Sequence, residues 1–99
     1  MTARERLPNR RASENFAFEC NGQPCLGSAA RYNDGRLAEI FISNAKVGSH
    51  SDAAAKDAAV VCSIALQFGV PVDVIRHALL RDQRGKASSP LGVALDLLV

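Results

Sequence analysis

The sequence has no tryptophan and few aromatic residues, at 5 % of 99 residues, so aliphatic side chains must supply most of its core. It has no run of about 18 consecutive apolar residues, which excludes an ordinary transmembrane helix. Neither sign of charge dominates, because the net charge is +2 and the pI is near 8.6. The first residues lack the apolar stretch of a signal peptide. We therefore expect a cytoplasmic protein whose cysteines stay reduced.

Motifs of the common enzyme classes are also missing. The chain contains no GxSxG, HExxH, GxGxxG or phosphate-binding loop. Cys20 and Cys25 flank the tip of a predicted hairpin, but no further ligands stand at metal-binding spacing, and Cys62 lies in an apolar stretch. We predict no catalytic, cofactor-binding or metal-binding residues and no activity of the chain alone. Packing is the expected role of the cysteines, with a reversible Cys20–Cys25 disulfide as the alternative.

The stretch from Ser51 to Phe68 predicts the helix around which the rest packs. Ser51 can cap its first turn, Asp52 complements the helix dipole, and Gly69 suits the left-handed residue that ends a helix. One narrow stripe of this helix is polar, and nearly all other positions past residue 58 are small or apolar. This pattern predicts a helix covered from at least two directions, with Val61 among its buried residues. The stripe comprises Asp52, Lys56, Ser63 and Gln67.

Residues 14–43 predict three antiparallel strands. The first shows period-two alternation and ends at Asn21-Gly22, a strong hairpin signal. The second runs from about Cys25 to Tyr32, and the third covers 37–43, with apolar residues on both faces. Such a three-stranded sheet needs a cover, and the long helix is the obvious one.

Two further helices are predicted after Gly69. Pro71 opens the first, which folds back against the long helix. Its expected buried face consists of Val74, Ile75, Ala78 and Leu79. Ser89 caps a short C-terminal helix, whose apolar stripe must pack on its own domain or on a second copy. The stripe consists of Leu91, Leu95 and Leu98.

The predicted fold class is therefore α+β: a three-stranded antiparallel meander, a long buried helix, a second antiparallel helix and a short C-terminal helix. A single domain covers 14–99, and a basic flexible arm covers 1–13. The arm is expected to be solvated or to bind an acidic partner or a phosphate. Its candidate partner-binding residues are Arg4, Arg6, Arg10 and Arg11.

Three segments together resemble a known family: LPNRR in the arm, DGRLAEIFIS at the third strand, and DAAVVCSIALQFGVP followed by DVIRHALL. The chain resembles the TSCPD domain, which occurs in the C-terminal region of adenosylcobalamin-dependent (class II) ribonucleotide reductases and in small free-standing proteins. The resemblance covers about residues 7–80. The chain lacks the TSCPD string itself, its cysteine cluster and the reductase barrel. The motif residues are Gly35, Glu39, Ile40, Phe41, Ile42, Gly69 and Pro71.

The resemblance implies an accessory or interaction domain linked to ribonucleotide reduction, with a reductase catalytic chain as its partner. The alternative is a nucleic-acid or nucleotide-binding regulatory module that uses the arginine-rich arm. Nucleic acid is the less expected partner, because four clustered arginines and a net charge of +2 give little electrostatic reach in physiological salt. A third interpretation is a free-standing homodimer, since Phe41 leaves the second sheet face uncovered.

Overall fold

The computed structural model describes residues 3–9 and 11–99 and confirms the α+β fold class. Three strands precede three helices. No helix in these ranges is long and apolar enough to cross a membrane. The strands are β1 (Ser13–Cys20), β2 (Gln23–Arg31) and β3 (Leu37–Asn44), and the helices are α1 (His50–Gln67), α2 (Val72–Ala78) and α3 (Pro90–Leu98).

The strands form an antiparallel meander in the order β1-β2-β3. Asn21 and Gly22 both have positive φ, as the two-residue hairpin between β1 and β2 requires. β1 pairs with β2 without a break over its full length, and the β2–β3 pairing shifts by one residue at Ala30/Arg31. Alternation along the strands therefore gives the sheet two faces, which we call the core face and the outer face.

The core face is covered by α1 and α3. Its side chains are mostly aliphatic or small, and Phe16 and Phe18 stack with their ring centroids 5.7 Å apart. From α1 come small residues that allow close approach to the sheet, and from α3 come two leucines. The buried members on these helices are Ala55, Ala59, Cys62, Leu66, Leu91, Ala94 and Leu95.

The observed N-cap of α1 lies two residues before the predicted one. Ser49 is the capping residue and accepts a hydrogen bond from the Asp52 backbone N–H, so the prediction of Ser51 as the cap is wrong. Asp52 lies in the first turn, as predicted, and is buried. Its carboxylate meets Lys56 at 2.9 Å and accepts hydrogen bonds from the Asn44 and Gly48 N–H groups. These contacts, Lys56 first, lower the pKa of Asp52 to about 2.

Asp52, Ser63 and Gln67 of the polar stripe of α1 face the protein and satisfy the open edge of β3, whereas Lys56 is exposed. Ser63 Oγ accepts from the Ile40 N–H at 2.9 Å and lies 2.9 Å from the Ile40 carbonyl, to which it can donate. Gln67 Nε2 donates to the Ala38 carbonyl at 3.2 Å, and Asp52 takes the Asn44 N–H. The helix thus replaces a fourth strand along this edge.

This orientation leaves part of the apolar surface of α1 in solvent. Val61 is 66 % exposed and Val60 is 46 % exposed, so the prediction that α1 is covered from two directions, with Val61 buried, is wrong. The physical reason is that the backbone groups of an edge strand need hydrogen-bond partners, and α1 supplies them from its polar stripe.

Helix α2 packs chiefly against α3. Pro71 stands at its capping position, and the helix presents Val72, Ile75 and Leu79 to the core. The predicted buried face was therefore only half right, because Val74 is exposed and Ala78 is exposed.

Helix α3 packs on its own domain, which decides between the two predicted locations of the tail. Leu91 and Leu95 are buried, and Leu98 packs against the core at its margin. Ser89 caps the helix by accepting from the Gly92 N–H at 3.3 Å. The Asp96 carboxylate forms ion pairs with Arg81 at 2.8 Å and with Arg76 at 3.0 Å. These contacts lower the pKa of Asp96 to about 2. They also link α3 to α2 and to the loop between the two helices.

Candidate interaction surface

An exposed apolar surface is formed by the outer face of the sheet together with one side of α1. Leu26 of β2 is 63 % exposed and Phe41 of β3 is 50 % exposed, and Val60 of α1 adjoins them. They line a groove of about 710 Å³. Its floor is the sheet itself, because the strands alternate and their other side chains enter the core.

Small and uncharged groups make up most of the rest of this groove. Asn15 and Ala17 of β1, Ser28 of β2 and Ser43 of β3 lie between or beside the large side chains. Among the described residues, Lys56 is the single charged side chain in the lining, and its ammonium already meets Asp52. A shallow groove with an apolar centre and few charges suits a protein surface better than a phosphate or a metal ion.

The family-motif residues divide into structural positions and outer-face positions. Ile40 and Ile42 are buried in the core, and Gly35 and Gly69 have φ values of +93° and +95° that disfavour other residues. Phe41 and Glu39 lie on the outer face. Pro71 precedes α2. The Ile40-Phe41-Ile42 run therefore combines two core residues with one exposed aromatic ring.

The basic arm contacts the domain at several points. Arg4 donates to the Gln67 side chain at 2.6 Å, and the Glu5 N–H donates to the Gln67 carbonyl at 2.7 Å. Glu5 also holds Arg36 at 3.0 Å, and Arg36 lies over the Tyr32 ring. These contacts fix residues 4 and 5 against the end of α1 and the β2–β3 turn.

Among the predicted partner-binding arginines that the structure describes, Arg11 contacts the sheet face that carries Phe41. Its Nε donates to Glu39 at 2.8 Å, on the same sheet face as Phe41, and one terminal nitrogen donates to the Pro8 carbonyl. Arg6 is exposed, whereas Arg10 lies outside the described residues. Arg4 and Arg11 thus make internal contacts, and partner binding by the arm stays a prediction.

The three cysteines are buried free thiols. Desolvation raises the pKa of Cys20 and Cys25, and burial raises the pKa of Cys62 to about 11. A thiol with a raised pKa is a poor nucleophile at neutral pH. No group of three or more histidine, cysteine or carboxylate side chains is placed to hold a metal ion within residues 3–9 and 11–99.

Sequence reasoning missed Leu26 and Val60. Leu26 could have been found from its alternation with Cys25 and Gly27, because a residue between two core-facing positions must point outward. Val60 had no such signal, since the apolar surface of α1 extends over most of its circumference. Only the position of α1 along the β3 edge determines that Val60 joins Phe41 at the groove.

The chain is similar to a small part of three curated proteins named vitamin B12-dependent ribonucleotide reductase. The identity is 40 % over 72 residues for the protein of Rhodopirellula baltica, 36 % over 73 for that of Bradyrhizobium diazoefficiens and 36 % over 70 for that of Agrobacterium fabrum. These alignments cover 73 %, 74 % and 71 % of this chain.

The same alignments cover only 7 %, 6 % and 6 % of the three reductases, so the chain spans less than a tenth of the relatives' length. No family model matches the chain, and no solved structure matches it. The similarity links the chain to vitamin B12-dependent ribonucleotide reductases through one small segment of those proteins, and the TSCPD assignment stays a prediction.

Proposed function

We propose that this chain is a non-catalytic accessory domain that binds a vitamin B12-dependent ribonucleotide reductase through the outer face of its sheet. The observation that carries the proposal is the groove in which Leu26, Phe41 and Val60 are exposed side by side. Large apolar side chains grouped on a surface are typical of protein interfaces, where aromatic residues supply much of the binding energy.

The choice of partner comes from the sequence similarity. In the three reductases the matching segment belongs to a chain more than ten times its length. This chain matches that segment and carries an exposed apolar face. Docking on a separate reductase chain would cover this face, which is why we prefer this partner to an unrelated protein.

The arm adds positive charge on the sheet face that carries the groove, because Arg11 meets Glu39 there. Arg11 uses its Nε and one terminal nitrogen internally and keeps further N–H donors for a carboxylate of the partner. Arg4, Arg6 and Arg10 are further proposed contacts of the arm. The nucleic-acid alternative is less favoured, because a net charge of only +2 gives little electrostatic reach in physiological salt.

The experiment is a titration of the purified chain against the vitamin B12-dependent reductase of the same organism, in physiological salt. Leu26→Asp places a charge in the groove and should abolish binding. The matched control is Leu80→Asp, because Leu80 is 75 % exposed but lies beyond α2, away from the groove. Both variants should melt close to the wild type, since both residues are exposed.

A second comparison tests the arm. Replacing Arg10 and Arg11 by alanine should weaken binding less than Leu26→Asp does, because exposed charges contribute modestly. Equal binding by wild type and Leu26→Asp would refute the proposed surface. Tight, salt-resistant DNA binding by the chain would refute the proposal as a whole and favour the regulatory alternative. Ribonucleotide reduction by the chain alone would contradict its non-catalytic character.

A further inference from the structure

The two edge strands of the sheet differ in whether their outward backbone groups have hydrogen-bond partners. Polar side chains of α1 meet the β3 edge, as described above. The same contacts show which residues of β1, at the opposite edge, direct their backbone groups away from β2. Because the N–H of Ile40 points away from β2, its partner Ala29 directs its own N–H and carbonyl toward β1, where it pairs with Glu14. Even-numbered residues of β1 therefore bond to β2, and odd-numbered residues direct their backbone groups outward.

Four residues of β1 form this open edge: Ser13, Asn15, Ala17 and Glu19. All four are exposed. In the part of the chain that the structure describes, none of their N–H or carbonyl groups meets a partner outside the β1–β2 ladder. The strand has no proline and no bulge, two usual protections of a free edge, and its charged residues are Glu14 and Glu19. Eight residues of regular strand are thus available for pairing.

We propose that β1 pairs antiparallel with β1 of a second copy of this chain, giving a continuous six-stranded sheet across a two-fold axis. An antiparallel pair of identical strands satisfies the two-fold symmetry of a homodimer, and a parallel pair does not. Centring the axis on Ala17 sets Glu14 opposite Cys20 of the second copy, and of the strand only Ser13 falls opposite the turn residue Asn21. Ala17 then exchanges both of its backbone bonds with Ala17 of the second copy.

Side chains on both faces are complementary in this register. On the outer face, Asn15 stands opposite Glu19 of the second copy, so an amide donor meets a carboxylate twice across the axis. On the core face, Phe16 stands opposite Phe18 of the second copy and extends the existing aromatic pair. A parallel in-register pair would instead set each glutamate against its own copy. This charge pattern favours the antiparallel arrangement with a second copy.

The proposal does not rest on the reductase interaction, because it is argued from the backbone groups of the strand edge; Asn15 and Ala17 lie both on this edge and in the groove lining. Its first test is the mass in solution over a wide concentration series by light scattering. We expect twice the mass of one chain at high concentration. Ala17→Pro removes an outward N–H without breaking a bond within the chain, since proline is tolerated at such edge positions. Losing the two bonds at the axis should weaken the dimer at least about tenfold.

Two control variants locate the contact. Ala17→Ser keeps the backbone donor and should dimerise like the wild type. Leu26→Asp disrupts the groove but leaves the edge intact, and should also dimerise. A wild-type chain that stays monomeric at every concentration would overturn the proposal. A dimer that survives Ala17→Pro, or one that is lost in Leu26→Asp, would overturn the edge contact.

Amide hydrogen exchange on the wild-type protein tests the same contact without any substitution. The outward amides of Asn15, Ala17 and Glu19 should exchange more slowly as protein concentration rises. The amides of Phe16 and Phe18, which bond to β2, serve as internal references and should change much less. Exchange of the outward amides that is independent of concentration would contradict pairing at this edge.

Discussion

Replacing Ser63 by alanine tests whether α1 supplies hydrogen bonds to the β3 edge. Ser63 is 6 % exposed and Ile40 is fully buried, so water cannot substitute for the missing hydroxyl. The substitution leaves the Ile40 N–H without its acceptor and removes the single hydroxyl proton that lies within reach of the Ile40 and Ala59 carbonyls. An unsatisfied buried polar group costs about 1–3 kcal/mol, and the better helix propensity of alanine returns no more than about 0.7 kcal/mol.

We therefore expect Ser63→Ala to have a free energy of unfolding about 1–3 kcal/mol below that of an alanine control on the same helix. For a domain of this size the melting temperature should fall by at least about 4 °C. The matched control is Ser51→Ala on the same helix, because Ser51 is exposed and the chain's described residues make no hydrogen bond to its side chain. The control removes the propensity difference from the comparison.

The assay is urea unfolding of the wild type and both variants, followed by circular dichroism. Amide exchange adds a local measurement, since the Ile40 N–H should exchange faster in Ser63→Ala. Unfolding free energies of the two variants within about 0.5 kcal/mol of each other would refute the assignment of Ser63 as an edge partner. An unchanged exchange rate of Ile40 would refute it independently.

Three further predictions follow from the positions of single groups. Val61→Asp should change the free energy of unfolding by less than about 0.5 kcal/mol, because Val61 is exposed. Ala59→Asp should prevent folding, because it buries a charge. Urea unfolding followed by circular dichroism tests both variants. The stability that Asp52 contributes should be fully present above pH 3.8, the ordinary pKa of aspartate. It should be lost as the pH falls toward 2, because folding lowers the pKa of Asp52 to about 2. Unfolding measured at stepped pH should therefore show a weaker pH dependence in Asp52→Asn. A disulfide reagent should titrate almost no thiol in the folded protein and all three cysteines in denaturant; fast reaction of the native protein would contradict their burial.

The sequence by itself determined the elements and their order, because each depended on local chemistry. Asn21-Gly22 required a hairpin, since both residues accept positive φ, and alternation before it defined the core face of β1. Gly69 ended α1 because its φ of +95° disfavours other residues. Ser89 capped α3 through a bond to a residue three positions away. Interactions of this range can be read from neighbouring letters.

Only the tertiary structure decided which side of α1 is buried. Hydrophobicity alone ranked the polar stripe as the solvent side, yet Ser63 and Gln67 face the sheet and Val61 faces water. The reason is non-local: Ala38 and Ile40, more than twenty residues earlier, lie on a strand edge whose backbone groups need partners. The position of α1 along that edge also placed Val60 beside Phe41. The groove, the sealed edge of β3 and the open edge of β1 all follow from that one packing choice.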